Sequence, residues 1–260
     1  MKNLILTFII IFVSANLFAQ TRMVIYENDN TIVTVAISEI DNVYFEILPN
    51  CGIVTDIDGN EYKTITIGTQ CWLAENLKVT HYPNGDTIPY ITDNTAWRNL
   101  DDNNTDDAYC FYNNLYAAVN GPLYTYAAAI ADNWTKDNAD GQGVCPDGWH
   151  LPTNEEWATL NTFLDTVNSG SKLAAKKVAW MYGDLKQDME FGTSGFSALP
   201  GGYRNYSGTF SLLGKNGFWW SATEKDAVIS WRRSINYKKT QLLRNYNVKS
   251  YGFSVRCIKN

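Results

Sequence analysis

Few side chains in this 260-residue sequence are able to do chemistry, and most of them are scattered. Of the two histidines, His81 and His150, the second stands between Trp149 and Leu151-Pro152. It could serve a serine nucleophile, but no Gly-x-Ser-x-Gly elbow accompanies it, so a structural turn is expected. Glu155 and Glu156 are adjacent at a helix start, where carboxylates favour the positive end of the helix dipole. Capping is therefore expected of them before paired acid–base chemistry. Zinc is excluded on spacing, since neither CxxC nor HxxxH occurs, and no Walker or GxGxxG motif is present for phosphates. Asp56, Asp58 and Asn60 have the spacing of a calcium loop. Gly59 is out of place for one, however, and Ile67 stands where the closing glutamate belongs. The acidic run at 101–107 could gather a hard cation through its oxygens, although such runs are more often simply solvated. We expect no cofactor, with Ca2+ at this run as the alternative.

The better candidates for recognition are aromatic. Trp219 and Trp220 are consecutive, so on a strand one ring faces the core and the other a loop surface. With Tyr203, Arg204 and Tyr206 nearby in sequence, an exposed ring could stack on a sugar or hold a peptide. These five residues are the expected ligand-binding set. The competing reading of Arg204 and Arg256 is an ion pair with a buried carboxylate such as Glu75. A net charge of −6 without a basic stripe argues against nucleic acid.

The elements that must position these groups begin with an export signal. Lys2 precedes an apolar run from Leu4 to Val13, and cleavage fits after Ala19 or after Ala15. The run is too short for a spanning helix of about 20 residues, so no transmembrane segment is expected once residues 1–19 are removed. In an exported chain the five cysteines invite disulfides. Cys145 with Cys257 is the preferred pair and Cys51 with Cys71 the second, although connectivity is not readable from sequence. Loop closure gives upper values of about 5 and about 3 kcal/mol for them.

Residues 20–48 read as a short β module. Met23 to Tyr26 and Thr31 to Ile37 alternate around the turn residues Glu27 to Asn30, and Val43-Tyr44-Phe45 follows. Asp58-Gly59 between two alternating runs signals a hairpin. Residues 81–121 are mostly loop. Tyr124 to Ala131 is Ala-rich and helical in character. Thr153 and Glu156 form a capping box for a helix from Asn154 to Val167, with Trp157, Leu160, Phe163, Leu164 and Val167 on one face. A short third helix is expected at 172–180, then short strands and loops.

Six motifs, in order, give the chain a family resemblance. They are Asp58-Gly59-Asn60, the Gln70-Cys71-Trp72-Leu73-Ala74-Glu75-Asn76-Leu77 segment, Cys145-Pro146-Asp147-Gly148-Trp149 leading to Trp157, Gly201-Gly202-Tyr203-Arg204, Gly217-Phe218-Trp219-Trp220 and Ser254-Val255-Arg256-Cys257. Over residues 51–260 the chain resembles the Fibrobacter succinogenes major paralogous domain, found in exported proteins often of the Bacteroidota, with no settled activity. A more distant similarity is to the formylglycine-generating enzyme superfamily. It implies an α+β, C-type lectin-like fold with two main helices, small antiparallel sheets, long loops and termini that meet as strands. Residues 65–67 and 253–258 are the candidates for that meeting. The copper-holding cysteine pair of those enzymes has no counterpart at 230–251, and the sugar-binding triplets of calcium lectins are absent.

The expected protein is thus exported, whether secreted, periplasmic or associated with the outer membrane. It is expected to be a non-enzymatic binding or adhesion module for a glycan or a cell-surface protein. A structural surface-assembly protein and an enzyme with an unrecognised site are the alternatives.

Overall fold

The computed structural model describes residues 22–26, 32–36, 50–115, 120–131 and 141–260. The expected signal segment and the Val43-Tyr44-Phe45 stretch lie outside them. Two compact units emerge, Met1–Ile47 and Leu48–Asn260. In the first, β1 (Arg22–Tyr26) and β2 (Ile32–Ala36) pair antiparallel with Tyr26 opposite Ile32, as their alternating sequence predicts.

The second unit mixes short helices with small antiparallel sheets, which is the α+β class. Its chain opens with β3 (Ile53–Thr55), β4 (Glu61–Ile67) and β5 (Gln70–Leu73). The β3–β4 turn closes on Asp56. Its carboxylate accepts from the Asp58 and Asn60 amides at 3.0 and 2.9 Å and from the Tyr62 hydroxyl at 2.5 Å. Asp58 accepts from the Thr80 amide and faces His81 Nδ1 across 2.5 Å. Oxygens that resembled calcium ligands in sequence therefore build a hairpin. Helix α1 (Asn94–Arg98), strands β6 (Tyr109–Cys110) and β7 (Leu123–Tyr124) and helix α2 (Tyr126–Ile130) follow, then β8 (Trp149–His150).

Helix α3 (Asn154–Phe163) starts with the expected reciprocal cap of Thr153 and Glu156. It ends a turn earlier than the apolar spacing predicts, because Asp165 adopts a left-handed backbone (φ 67°) and breaks the ladder. Trp157, Leu160 and Leu164 are buried, whereas Phe163 and Val167 are each 63% exposed. Phe163 instead covers Gly68. A Cβ at that position would lie 2.8 Å from the ring, and φ of 63° favours glycine there in any case. The expected helix at 172–180 is divided into α4 (Ser169–Leu173) and a single 3-10 turn at Lys177–Ala179, separated by left-handed Lys176. Helix α5 (Asp184–Gln187) is also one turn, so the described residues hold one main helix rather than two.

The C-terminal part supplies β9 (Tyr203–Arg204), β10 (Phe210–Ser211), β11 (Asn216–Glu224), β12 (Ile229–Asn236), β13 (Leu243–Val248) and β14 (Ile258–Lys259). Strand β14 inserts between β5 and β8 in the order β3-β4-β5-β14-β8. The terminal pairing is therefore Ile258 with Trp72, one strand away from the predicted partner at 65–67. Strands β11-β12-β13 form a separate antiparallel sheet, with β11 between two hydrophobic cores. Phe218 and Trp220 enter one core and Trp219 the other, as the period-two alternation of a strand requires.

Candidate functional site

The conspicuous sequence candidates turn out to be framework. Trp219 is 1% and Trp220 0% exposed, so neither ring offers a face to a ligand. This corrects the expectation of an exposed platform: β11 has core on both sides, and no loop surface is left for the second ring. Trp219 donates its indole N–H to Asn76 Oδ1 at 2.8 Å, and Trp220 donates to the Tyr124 carbonyl at 2.9 Å. Gly217 precedes them because a Cβ there would meet the Trp219 ring at 2.3 Å.

The two fully buried arginines are structural as well. Arg256 donates to the carbonyls of Leu73 and Phe196 at 2.7 and 2.6 Å and to Asn76 Oδ1 at 2.9 Å. Asn76 thereby ties Arg256 to Trp219, and its own amide donates to the Asn120 carbonyl. Burial pulls the Arg256 guanidinium down to about 9, against the opposing field of Glu75. Arg204 donates to the carbonyls of Ile91, Thr92 and Gly208 and to Asn94 Oδ1, with its guanidinium over the Trp97 ring at 4.3 Å. Carbonyls and an asparagine oxygen therefore take the Nη donors of both arginines, while Arg256 Nε is buried without a partner among the described residues. Glu75, the carboxylate expected to pair with them, bonds Lys78 instead.

Cysteine and histidine chemistry follows the same pattern. Disulfides join Cys145 to Cys257 and Cys51 to Cys71, with Cα atoms 5.9 and 6.3 Å apart. Cys110 is a buried free thiol, pushed up to about 12 by burial and so held protonated. His150 faces Glu156 Oε1 through Nε2 at 2.8 Å and Asn260 Oδ1 through Nδ1 at 2.7 Å, an arrangement that clips the helix start to the chain end. Burial would raise the Glu156 carboxyl, but hydrogen bonds from His150 and Thr153 hold it below its ordinary value. In the acidic run, Asp102 accepts from the Ser250 amide and Asp106 from the Asp101 amide. Asp107 accepts from the Tyr82 hydroxyl.

Among the cavities open to solvent, one is a groove on one face of the β11-β12-β13 sheet. Arg232 pairs with Trp220 on one side and Asn245 on the other, and Ser234 pairs with Phe218. Pairing and alternation place Asn216, Arg232, Ser234, Asn245 and Asn247 on this face. They line a cavity of about 300 Å³, walled by Tyr203, Tyr251 and Phe253. A second cavity of about 430 Å³ shares Asn247 and Tyr251 and adds Tyr206 and Asp102. Tyr203 lies 5.6 Å from Tyr251, and Tyr251 6.0 Å from the 56% exposed Tyr206, so the aromatic wall runs through both cavities.

Arg232 is held from three directions. Its Nε donates to Asn247 Oδ1 at 2.6 Å, its Nη1 to Ser234 Oγ at 2.8 Å, and its plane lies over the Phe218 ring at 4.8 Å. Burial lowers it to about 10, with Tyr203 and Tyr251 acting in the opposite direction. Of the five residues singled out from the sequence, the structure brings Tyr203 and Tyr206 to this groove and leaves Trp219, Trp220 and Arg204 out of it. Arg232, Asn245, Asn247 and Tyr251 escaped notice, and the alternation of Arg232 and Ser234 with Asn245 and Asn247 was the available signal.

The family model of the Fibrobacter succinogenes major domain matches residues 65–259. No curated protein and no solved structure matches the chain.

Proposed function

The chain belongs to the Fibrobacter succinogenes major domain family, and on that premise we propose that it is a non-enzymatic, exported binding module that takes a glycan or a surface protein in the β11-β13 groove. One observation carries this reading: polar groups converge on a solvent-open cavity whose wall is a row of tyrosines. Such a mixture of aromatic surface and a few placed polar groups is the usual make-up of a ligand site. The inner cavity's described lining holds no histidine, cysteine or carboxylate, the groups most used as nucleophile or general base. The two disulfides are consistent with export. A C-type lectin-like scaffold is supported by the chain end returning as β14 beside β5, in the sheet that opens the unit.

The test is a glycan array probed with the oxidised protein, with and without Ca2+. Hits are expected, and they should vanish in Tyr251→Ala while the thermal melt of that variant stays within a few degrees of the parent. An array without hits would overturn the glycan reading, and hits indifferent to Tyr251 would overturn the placement of the site in this groove. A surface-assembly role is favoured by a different observation. Among the described residues the β1–β2 sheet has two strands, and an edge strand left open is a template for another chain.

A further inference from the structure

We infer that the ligand is a sugar bearing a carboxylate, and that the carboxylate seats on the free edge of the Arg232 guanidinium. This rests on the reading of the groove as a ligand site. The argument begins with what Arg232 lacks. Among the described residues no carboxylate forms an ion pair with it, and it is the only charged residue lining the inner cavity. The fully buried Arg204 and Arg256 direct their Nη donors to carbonyls and an asparagine oxygen. Arg232 spends Nε on Asn247 and one Nη1 hydrogen on Ser234, and among the described residues no acceptor within hydrogen-bond distance meets Nη2. Nη2 and the second hydrogen of Nη1 thus present a fork, and a planar guanidinium offers such a fork to the two oxygens of a carboxylate.

The fork is fixed before any ligand arrives. Asn247, Ser234 and the Phe218 ring hold the guanidinium, so little rotamer freedom remains to be lost on binding. The half-buried setting that depresses the Arg232 pKa would be relieved by an anion, which adds to a case that already stands on geometry. The rest of the cavity suits a sugar ring better than a simple anion. Asn216, Asn245 and Asn247 carry amides that both donate and accept, as ring hydroxyls require, and Tyr251 offers an apolar face with a polar tip. A volume of about 300 Å³ lies at the small end of ligand sites, roughly 300–1,000 Å³, and fits one ring better than a long peptide.

The test uses the full oxidised chain, labelled with 15N. The Arg232 Nε–H resonance is followed on titration with the methyl glycosides of glucuronate, galacturonate and N-acetylneuraminate. Parallel titrations use methyl glucoside, methyl galactoside and acetate. At least one acidic sugar should move the resonance saturably, with its neutral counterpart and acetate roughly tenfold weaker, the factor that about 1.4 kcal/mol of charge-assisted bonding gives. Read on the side-chain amide resonances of Asn245 and Asn247, which persist in the variants, Arg232→Gln should erase that preference and Arg232→Lys restore part of it, both with the parent melt. Neutral sugars binding as well as acids, or a preference that survives Arg232→Gln, would overturn the inference and leave the groove as a neutral-glycan site. Acetate matching the sugars would also overturn it, since the ring would then contribute nothing. If nothing perturbs any groove residue, and the glycan array is blank too, this inference and the binding reading fall together.

Discussion

Arg256 and Arg232 are arginines of one domain whose donors end in opposite surroundings. At Arg256 the guanidinium is sealed in the core, and its Nη donors end on two carbonyls and on the asparagine that also holds Trp219. At Arg232 two donors are fixed by Asn247 and Ser234 and the rest face a cavity. Burial lowers both pKa values, so desolvation alone does not tell a structural arginine from a recognition arginine. The destination of the donors does. A guanidinium sealed in the core with its Nη donors on protein oxygens is a fastener, and one held at a cavity with Nη2 unanswered is, on the proposed reading, a receptor.

The largest effect should come from breaking the fastener. Arg256→Met strands the carbonyls of Leu73 and Phe196 and removes one of the two bonds that Asn76 Oδ1 accepts, at about 1–3 kcal/mol for each buried group left unpaired. A loss of about 5 kcal/mol in urea unfolding is expected, enough to unfold a typical domain. Next in size is the Cys145–Cys257 bridge, which closes a separation of 112 residues beside Arg256. Replacing both cysteines by serine should cost about 4 kcal/mol, read as a lower unfolding midpoint.

A smaller effect tests the helix clip near the chain end. Because the folded Glu156 carboxyl lies below its ordinary value, its contribution is fully present above the ordinary carboxylate range. It is lost as pH falls through the depressed folded value. Glu156→Gln should therefore cost about 1 kcal/mol near neutrality and flatten the acid limb of a stability–pH curve, with the two curves converging at low pH. The smallest expected change is the one the comparison depends on. Arg232→Gln should shift unfolding by less than about 0.5 kcal/mol, as substitutions outside the core network do. A loss near that of Arg256→Met would place Arg232 among the fasteners and end the distinction.

Local chemistry made much of the fold legible. The Thr153–Glu156 cap, the Asp58-Gly59 hairpin and the β1 and β2 alternation depend on neighbours within a few residues, and each forms as read. The disulfide pairs also form as preferred. What failed depends on distant partners. Phe163 fits the buried helical face by spacing, but Asp165 ends the helix and Gly68 receives the ring. Ile258 finds Trp72 rather than residues 65–67, a choice made by sheet order and not by either strand's composition. Arg232 and Arg233 are neighbours with the same side chain. Only strand pairing sends Arg233 to Asn154 in the core and Arg232 to the groove. Trp219 and Trp220 drew attention as candidate ligand platforms because a sequence shows aromatic character without showing how many sides of a strand are covered.

Those two tryptophans have a consequence for the groove they do not touch. A strand with one bulky ring locked into each of two separate cores is cut like a key on both edges. Displacing it by one residue would send each indole into the wrong core and strand both indole N–H groups. Strand β12 takes its alignment from β11, and β13 from β12. The edge strand can therefore exchange Asn245 for another side chain while Arg232, still held by Asn247 and Ser234, stays at the same address. On the proposed reading of the groove, ligand preference can drift within this architecture without the receptor losing its anchor.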